Sequence, residues 1–183
     1  MVTTVTQESV ATSATLATVV SALFLHGPRG AQRDDTTPIA MVPAAHVEAV
    51  TATGLRGDTR FFHKTRRDGR ENLRQVSLID EGTLERLRER CGPVPTDLVK
   101  SQIVLAGSMR LTDLLGRTLT FGQDEEAPVL QLTIKRDPCY IMDIITPGLQ
   151  DAMKDCEQGA LARVVRGGLI MVGQSVTISL LAA

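Results

Sequence analysis

"ALARVVRGGLIMVGQSVTISLL", residues 160–181, is the stretch whose reading decides the fold. It is aliphatic and β-branched, and glycines interrupt it at Gly167-Gly168 and at Gly173. That pattern predicts two or three strands joined by tight glycine turns. Moving outward, the same kind of segment recurs along the chain. Strands are predicted at 17–25, inside the apolar run "LATVVSALFL" (16–25), and in "AHVEAVTA" (45–52), "RQVSLID" (74–80), "QIVLAG" (102–107), "RTLTFG" (117–122) and "PVLQLTIK" (128–135). "GLRGD" (54–58) reads as a turn, and "HGPRGAQRDDTTP" (26–38), with its Pro, Gly and charge, as a loop.

Helices are few. "EGTLERLRERCG" (81–92) places Leu84, Leu87 and Cys91 on one face and is stopped by Gly92, so Cys91 reads as a packing cysteine. A second helix is expected to begin near Pro138, with Asp137 as its cap. A third is expected to have Thr146 as N-cap and Pro147 as its first residue, and to run to about Asp155. Strands come in runs rather than in alternation with helices. The expectation is therefore a mainly β fold with short helices (α+β), a barrel or sandwich of mostly antiparallel strands, and not a dinucleotide-binding fold.

The chain has 183 residues, 43% hydrophobic and 22% charged, which is enough to bury a core as one globular domain. Residues 1–16 read as a flexible tail and 17–183 as the single domain. Aromatics are 3% and Trp is absent, so the core must be aliphatic. A net charge of −1 gives no global pull toward nucleic acid or membrane, and anion binding has to come from a local patch. Three cysteines without a CxxC pair fit neither a disulfide framework nor a structural zinc site; they suit a reducing cytoplasm. The run at 16–25 lacks a basic flank before it and is too short to span a bilayer.

Two stretches carry candidate chemistry. In "IKRDPCYIM" (134–142), a helix capped by Asp137 would put Cys139 in its first turn, where the helix dipole favours a thiolate; Lys135 and Arg136 would add to this and Asp137 would oppose it. The competing reading is a small, inert core residue. In "RFFHKTRRDGR" (60–70), Arg60, His63, Lys64, Arg66, Arg67 and Arg70 make six basic residues in eleven, and Arg74 follows. This is either a solvated loop or an anion site, since guanidinium forks suit phosphate and carboxylate. Arg56-Gly57-Asp58 is an adhesion-like tripeptide by chance, and Asp58 after the glycine either orients a ligand or caps a loop. GxSxG, Walker A, GxGxxG and HExxH are all absent, and His26, His46 and His63 lack metal-ligand spacing.

The order of the pieces is more specific than any one of them. "VEAVTATGLRGDTRF", "RQVSLID", "IVLAG", "LGRTLTFG", "LQLTIKRDPCYI" and "GALARVVRGGLIMVGQSV" follow one another in a sequence that resembles the MOSC domain, over roughly residues 17–180. That domain occurs at the C-terminus of molybdenum cofactor sulfurases and as stand-alone bacterial proteins. The strongest parts are Gly54 to Asp58, Arg74 to Ile79, and Arg136-Asp137-Pro138-Cys139. The resemblance implies a β-barrel and makes Cys139 the family's hallmark cysteine, proposed in relatives to carry a persulfide sulfur or to ligate molybdenum of the pterin cofactor. Asp58 matches a family aspartate near the active site and is expected, with Cys139, to be catalytic. Arg60, Arg66, Arg67, Arg74 and Arg136 are then expected to hold the cofactor, the basic segment on its phosphate. The sequence departs from the family pattern at Lys100-Ser101-Gln102, at Gly173-Gln174, and at Thr59, which intervenes before Arg60.

Three functions follow as expectations. One is a molybdenum-cofactor enzyme that reduces N-hydroxylated compounds or transfers sulfur. Another is a metal-free persulfide carrier that exchanges sulfur with a donor or acceptor protein, with Cys156 as a possible resolving thiol. The last is a diverged MOSC-fold enzyme of a specialised pathway. Expected partners are a small-molecule substrate or a sulfur-exchanging protein, without nucleic acid or membrane.

Overall fold

The computed structural model describes residues 14–28, 38–66, 68–154 and 158–180. The elements run β1 (Thr15–Leu25), β2 (Val42–Ala44), β3 (His46–Val50), β4 (Gly54–Leu55), β5 (Val76–Asp80), α1 (Glu81–Cys91) and β6 (Ile103–Leu105). After a 3-10 turn at Leu111–Leu114 come β7 (Thr118–Phe121), β8 (Val129–Lys135), α2 (Ile141–Ile145), α3 (Leu149–Lys154), β9 (Ala160–Arg166), β10 (Gly168–Met171) and β11 (Ser175–Ser179).

Seven strands form a ring. β1, β6, β5, β9, β8, β7 and β11 are neighbours in that order, and β11 pairs back onto β1, with Thr15 opposite Ser179 and Val19 opposite Ser175. This is the mainly β, MOSC-like barrel with three short helices that the sequence predicted. Pairing is antiparallel except between β5 and β6. That parallel pair requires a crossover, and α1 supplies it.

The two-residue period of the strands sorts their side chains into two cores. Leu23, Leu78, Ile103 and Leu105 point into the barrel with Leu119, Phe121, Leu130 and Val164. One residue along the same strands, Phe24, Ile79 and Val104 pack under the helices against Leu84, Leu87, Met142 and Met153. β5 is thus buried on both faces at every residue, which explains its apolar reading. α1 is capped by its sequence neighbour: Asp80 Oδ1 accepts the Thr83 N–H at 2.9 Å and Oδ2 accepts the Thr83 hydroxyl at 2.8 Å.

Four expectations change in detail. Thr15 and Leu16 belong to β1 rather than to a tail, because pairing with β11 extends the strand to Thr15. The glycines after β9 make a switch between sheets: β10 leaves the barrel to pair with β3, Ile170 opposite Val47, in a three-stranded sheet with β4. Gly168 sits there at φ +144°, and a Cβ would come within 2.9 Å of the Pro128 ring. α2 begins at Ile141 rather than near Pro138, with Tyr140 at its cap position. The Thr146 hydroxyl donates to the Pro93 carbonyl at 2.7 Å instead of capping, and α3 starts at Leu149. Cys91 is half-buried at the edge of the second core.

Candidate functional site

Cys139 lies in the link between β8 and α2, two residues before the helix. Its carbonyl accepts the Met142 N–H at 2.9 Å, so it enters the first turn through its backbone only. Cys139 therefore stands just before the helix rather than within its first turn, and the charges around the sulfur are the other influence on it. Cys139 is half-buried on the wall of a cavity of about 410 Å³. The cavity opens between the basic segment that precedes β5, the start of β5 itself, the residue before Ser101, and the link that carries Cys139.

Among the described residues six cations line it: Arg60, Lys64, Arg66, Arg74, Lys100 and Arg136; Asp137 is the one carboxylate among them on the wall. The structure thus brings together Cys139 and four of the five arginines expected to bind a cofactor; Arg67 and Cys156 lie outside the described residues. Arg66 has its charge matched on the rim, where Nη2 meets Asp68 at 2.9 Å. Lys135 lies on β8 but is not part of the lining.

Arg136 is the deepest of these groups, at 8% exposure. Its Nη1 donates to the Ser101 hydroxyl at 2.9 Å, and Nη2 donates to the Val99 carbonyl. Both partners are neutral. Burial, with Arg60 near it, pushes the guanidinium down to about 10, while Cys139 acts in the opposite direction. Lys100 stands beside it in the left-handed region at φ +65°. Its carbonyl accepts the Ser77 hydroxyl at 3.1 Å, and Ser77 also donates its N–H to Gln102 Oε1 at 2.8 Å. Burial, then Arg60, push the Lys100 amine below its ordinary value, with Arg136 adding to this; Asp97 and Cys139 pull the other way. Lys100 was singled out in the sequence only as a departure from the family pattern, yet it lines the cavity.

Asp58 is not on the cavity wall. It is 4% exposed, and both its oxygens are engaged. Oδ1 accepts the N–H of Arg60 at 2.9 Å and of Phe61 at 2.7 Å. Oδ2 accepts the His26 N–H at 2.9 Å and lies 2.8 Å from His26 Nδ1. A carboxylate can only accept, so Nδ1 carries the proton. Burial alone would raise the Asp58 pKa; the bonds from the His26 ring, the His26 backbone and Phe61 outweigh it and hold the group at about 2, from an ordinary 3.8. Its geometry is that of a brace. It ties the end of β1 to the backbone of Arg60 and Phe61, which do line the cavity, and the His26 ring meets Phe61 edge-on at 5.3 Å. Sequence reasoning missed His26 because its partner lies 32 residues away.

Among the described residues no three His, Cys, Asp or Glu side chains cluster as a metal site. No helix among them is long and apolar enough to cross a membrane.

The architecture has solved counterparts. YuaD from Bacillus subtilis superposes with a TM-score of 0.72 at 16% identity, covering 91% of this chain and 98% of that one. YiiM from Geobacillus stearothermophilus gives 0.60 at 16% identity, over 88% and 74% of the two chains. YiiM from Escherichia coli gives 0.56 at 15%, over 87% and 69%. At these identities the likeness is one of fold. No family model and no curated protein matches the sequence.

Proposed function

We propose that the cavity binds a molybdenum-pterin cofactor, with Cys139 as the soft protein ligand of the metal and the basic segment on the phosphate. The observation that carries this reading is a half-buried cysteine and six cations on one 410 Å³ cavity. The donor set fits the group. A single thiolate, with no cluster of further ligands among the described residues, suits a metal whose other ligands come with the cofactor, and sulfur suits a soft metal. Arg74, Lys64 and Arg66 are placed to pair with a phosphate, Arg74 and Lys64 with charge not already matched by a carboxylate. Asp58 and His26 hold the backbone from which Arg60 and Phe61 project. When bound, the cofactor supplies two-electron redox chemistry, suited to reducing an N-hydroxylated compound or to moving sulfur.

The test is to produce the protein in a host that makes molybdenum cofactor and in one that cannot. Molybdenum and released pterin are then measured per chain. Near-stoichiometric amounts from the first host, lost in Cys139→Ala with the far-UV spectrum unchanged, are expected. Neither metal nor pterin from either host would overturn the reading. The second reading, a persulfide carrier, is favoured by Lys100 and Arg136, whose charges would stabilise an anionic persulfide on Cys139. It predicts a sulfur-mass adduct, lost on reduction and absent from Cys139→Ala.

A further inference from the structure

Cys139 sits on the link 136–140, between β8 and α2. A sulfur that binds a metal or attacks a substrate is effective only where its support fixes it; a displacement of about 1 Å can cost about a hundredfold in rate. The link belongs to neither a strand nor a helix, and Pro138 brings no N–H to bond. Its support comes from elsewhere in the fold, at both ends. On the barrel side the anchor is Arg136. Its backbone N–H donates to the Gly159 carbonyl at 3.3 Å, and its buried guanidinium donates to the Ser101 hydroxyl at 2.9 Å and to the Val99 carbonyl. On the helix side the anchor is Gln150. Its Nε2 donates to the Pro138 carbonyl at 3.3 Å, one residue before Cys139. Gln150 is itself held: its N–H donates to Asp143 Oδ1 at 2.8 Å, which ties α3 to α2. Leu149 and Met153 of the same helix are fully buried in the second core with Met142. The Gln150 amide is thus delivered by a helix seated in the core.

We propose that Gln150, with Arg136 as the opposite anchor, is a positioning residue for the Cys139 sulfur: it holds the Pro138 carbonyl and so keeps the sulfur on the cavity wall. This deepens the proposed function, because it rests on Cys139 being the reactive sulfur. Gln150 touches neither substrate nor cofactor in this role and acts through the link alone. A bond to a carbonyl needs a donor, so the role depends on the amide NH2 and not on the bulk of the side chain.

The positioning can be read without the cofactor. The full chain from a cofactor-deficient host is alkylated at one pH with iodoacetamide and, separately, with the bulkier N-benzyl iodoacetamide. Trypsin cuts after Arg136 and Lys154, so the peptide 137–154 carries Cys139 as its only cysteine and is quantified by mass. Both reagents are neutral and attack the same thiolate by the same displacement. The ratio of their rates therefore cancels the thiolate fraction and reports how freely the sulfur is approached. A sulfur held half-buried on a wall should disfavour the bulkier reagent relative to 2-mercaptoethanol. Gln150→Glu keeps the size of the side chain but at neutral pH can only accept, so it should release the link. It should move the ratio about fivefold toward that of the free thiol, the equivalent of one hydrogen bond. Gln150→Lys restores a donor and should keep the wild-type ratio. Ser101→Ala removes a partner of the Arg136 guanidinium and should move the ratio in the same direction as Gln150→Glu. Each variant is read well below its unfolding midpoint, where a general loss of stability does not move the ratio. An unchanged ratio in Gln150→Glu or in Ser101→Ala would overturn the proposal. So would an equal shift in Gln150→Lys, a wild-type ratio equal to that of 2-mercaptoethanol, or a Cys139 unreactive toward both reagents. If wild-type protein from a cofactor-making host carries neither molybdenum nor pterin, the cofactor reading fails on that measurement alone, and the role of Gln150 is still decided by the alkylation ratio.

Discussion

Asp58→Asn separates a brace from a catalyst. The substitution keeps Oδ1 for the N–H groups of Arg60 and Phe61 but sets an NH2 against the His26 N–H, which loses its acceptor. A buried donor left unsatisfied costs about 1–3 kcal/mol. The pKa gives a second route to the magnitude. A carboxylate held at about 2 rather than 3.8 contributes roughly 2 kcal/mol to stability at neutral pH, reduced somewhat by residual solvent screening. The two routes agree on about 2 kcal/mol. The sign is fixed by the direction of the shift. Because the folded pKa lies below the unfolded one, the contribution is fully present above about pH 5, and it is lost as pH falls past 3.8 toward 2. Urea unfolding of wild type and Asp58→Asn should therefore differ by about 2 kcal/mol at pH 7, and the gap should narrow between pH 5 and pH 2. A gap below about 0.5 kcal/mol, or one that does not change with pH, would refute the assignment of Asp58 as a brace.

Three other substitutions probe the packing behind the cavity and its deepest wall residue. In Gly159→Ala the new Cβ would lie 2.3 Å from the Leu78 carbonyl at a φ of +73°, so a loss above about 3 kcal/mol, or failure to fold, is expected in thermal unfolding. Gln75→Leu removes the acceptor of the buried Val164 N–H and the donor to the Asn72 carbonyl, both at 2.8 Å; urea unfolding should report a loss of about 1–3 kcal/mol. Arg136→Lys keeps the charge but cannot reach Val99 and Ser101 together, so urea unfolding should report a loss of about 2 kcal/mol.

The barrel was legible because its strands are short, apolar and bounded by turn residues. The run 74–80 read as a strand, and within it Val76–Asp80 forms β5. The basic segment and Cys139 were legible as separate suspects; their meeting on one cavity depends on long-range packing that local pattern does not carry. The start of α2 was misread for a physical reason. Asp-Pro is a common helix opening, but here Pro138 and Cys139 lie in the link before α2, whose neighbour Arg136 is anchored to Ser101. The partners of Asp58 and Thr146 were hidden too, since His26 and Pro93 lie 32 and 53 residues away in the chain. Lys100 did leave a signal. A lysine where relatives differ was visible, and the left-handed backbone and the cavity behind it were not.

The ring closes where β1 meets β11, the first and last described strands. Assembly of this barrel is therefore governed by its least local contact. Chain emerging from a ribosome holds β1 long before its partner exists, and loop closure over such a span makes folding slow. Until β11 arrives, β1 and β7 both present open edges to any neighbouring chain. Removing or disturbing β11 should consequently show itself first as aggregation during synthesis. Chaperone dependence and yield, more than the equilibrium stability of the finished molecule, are where that seam will be felt.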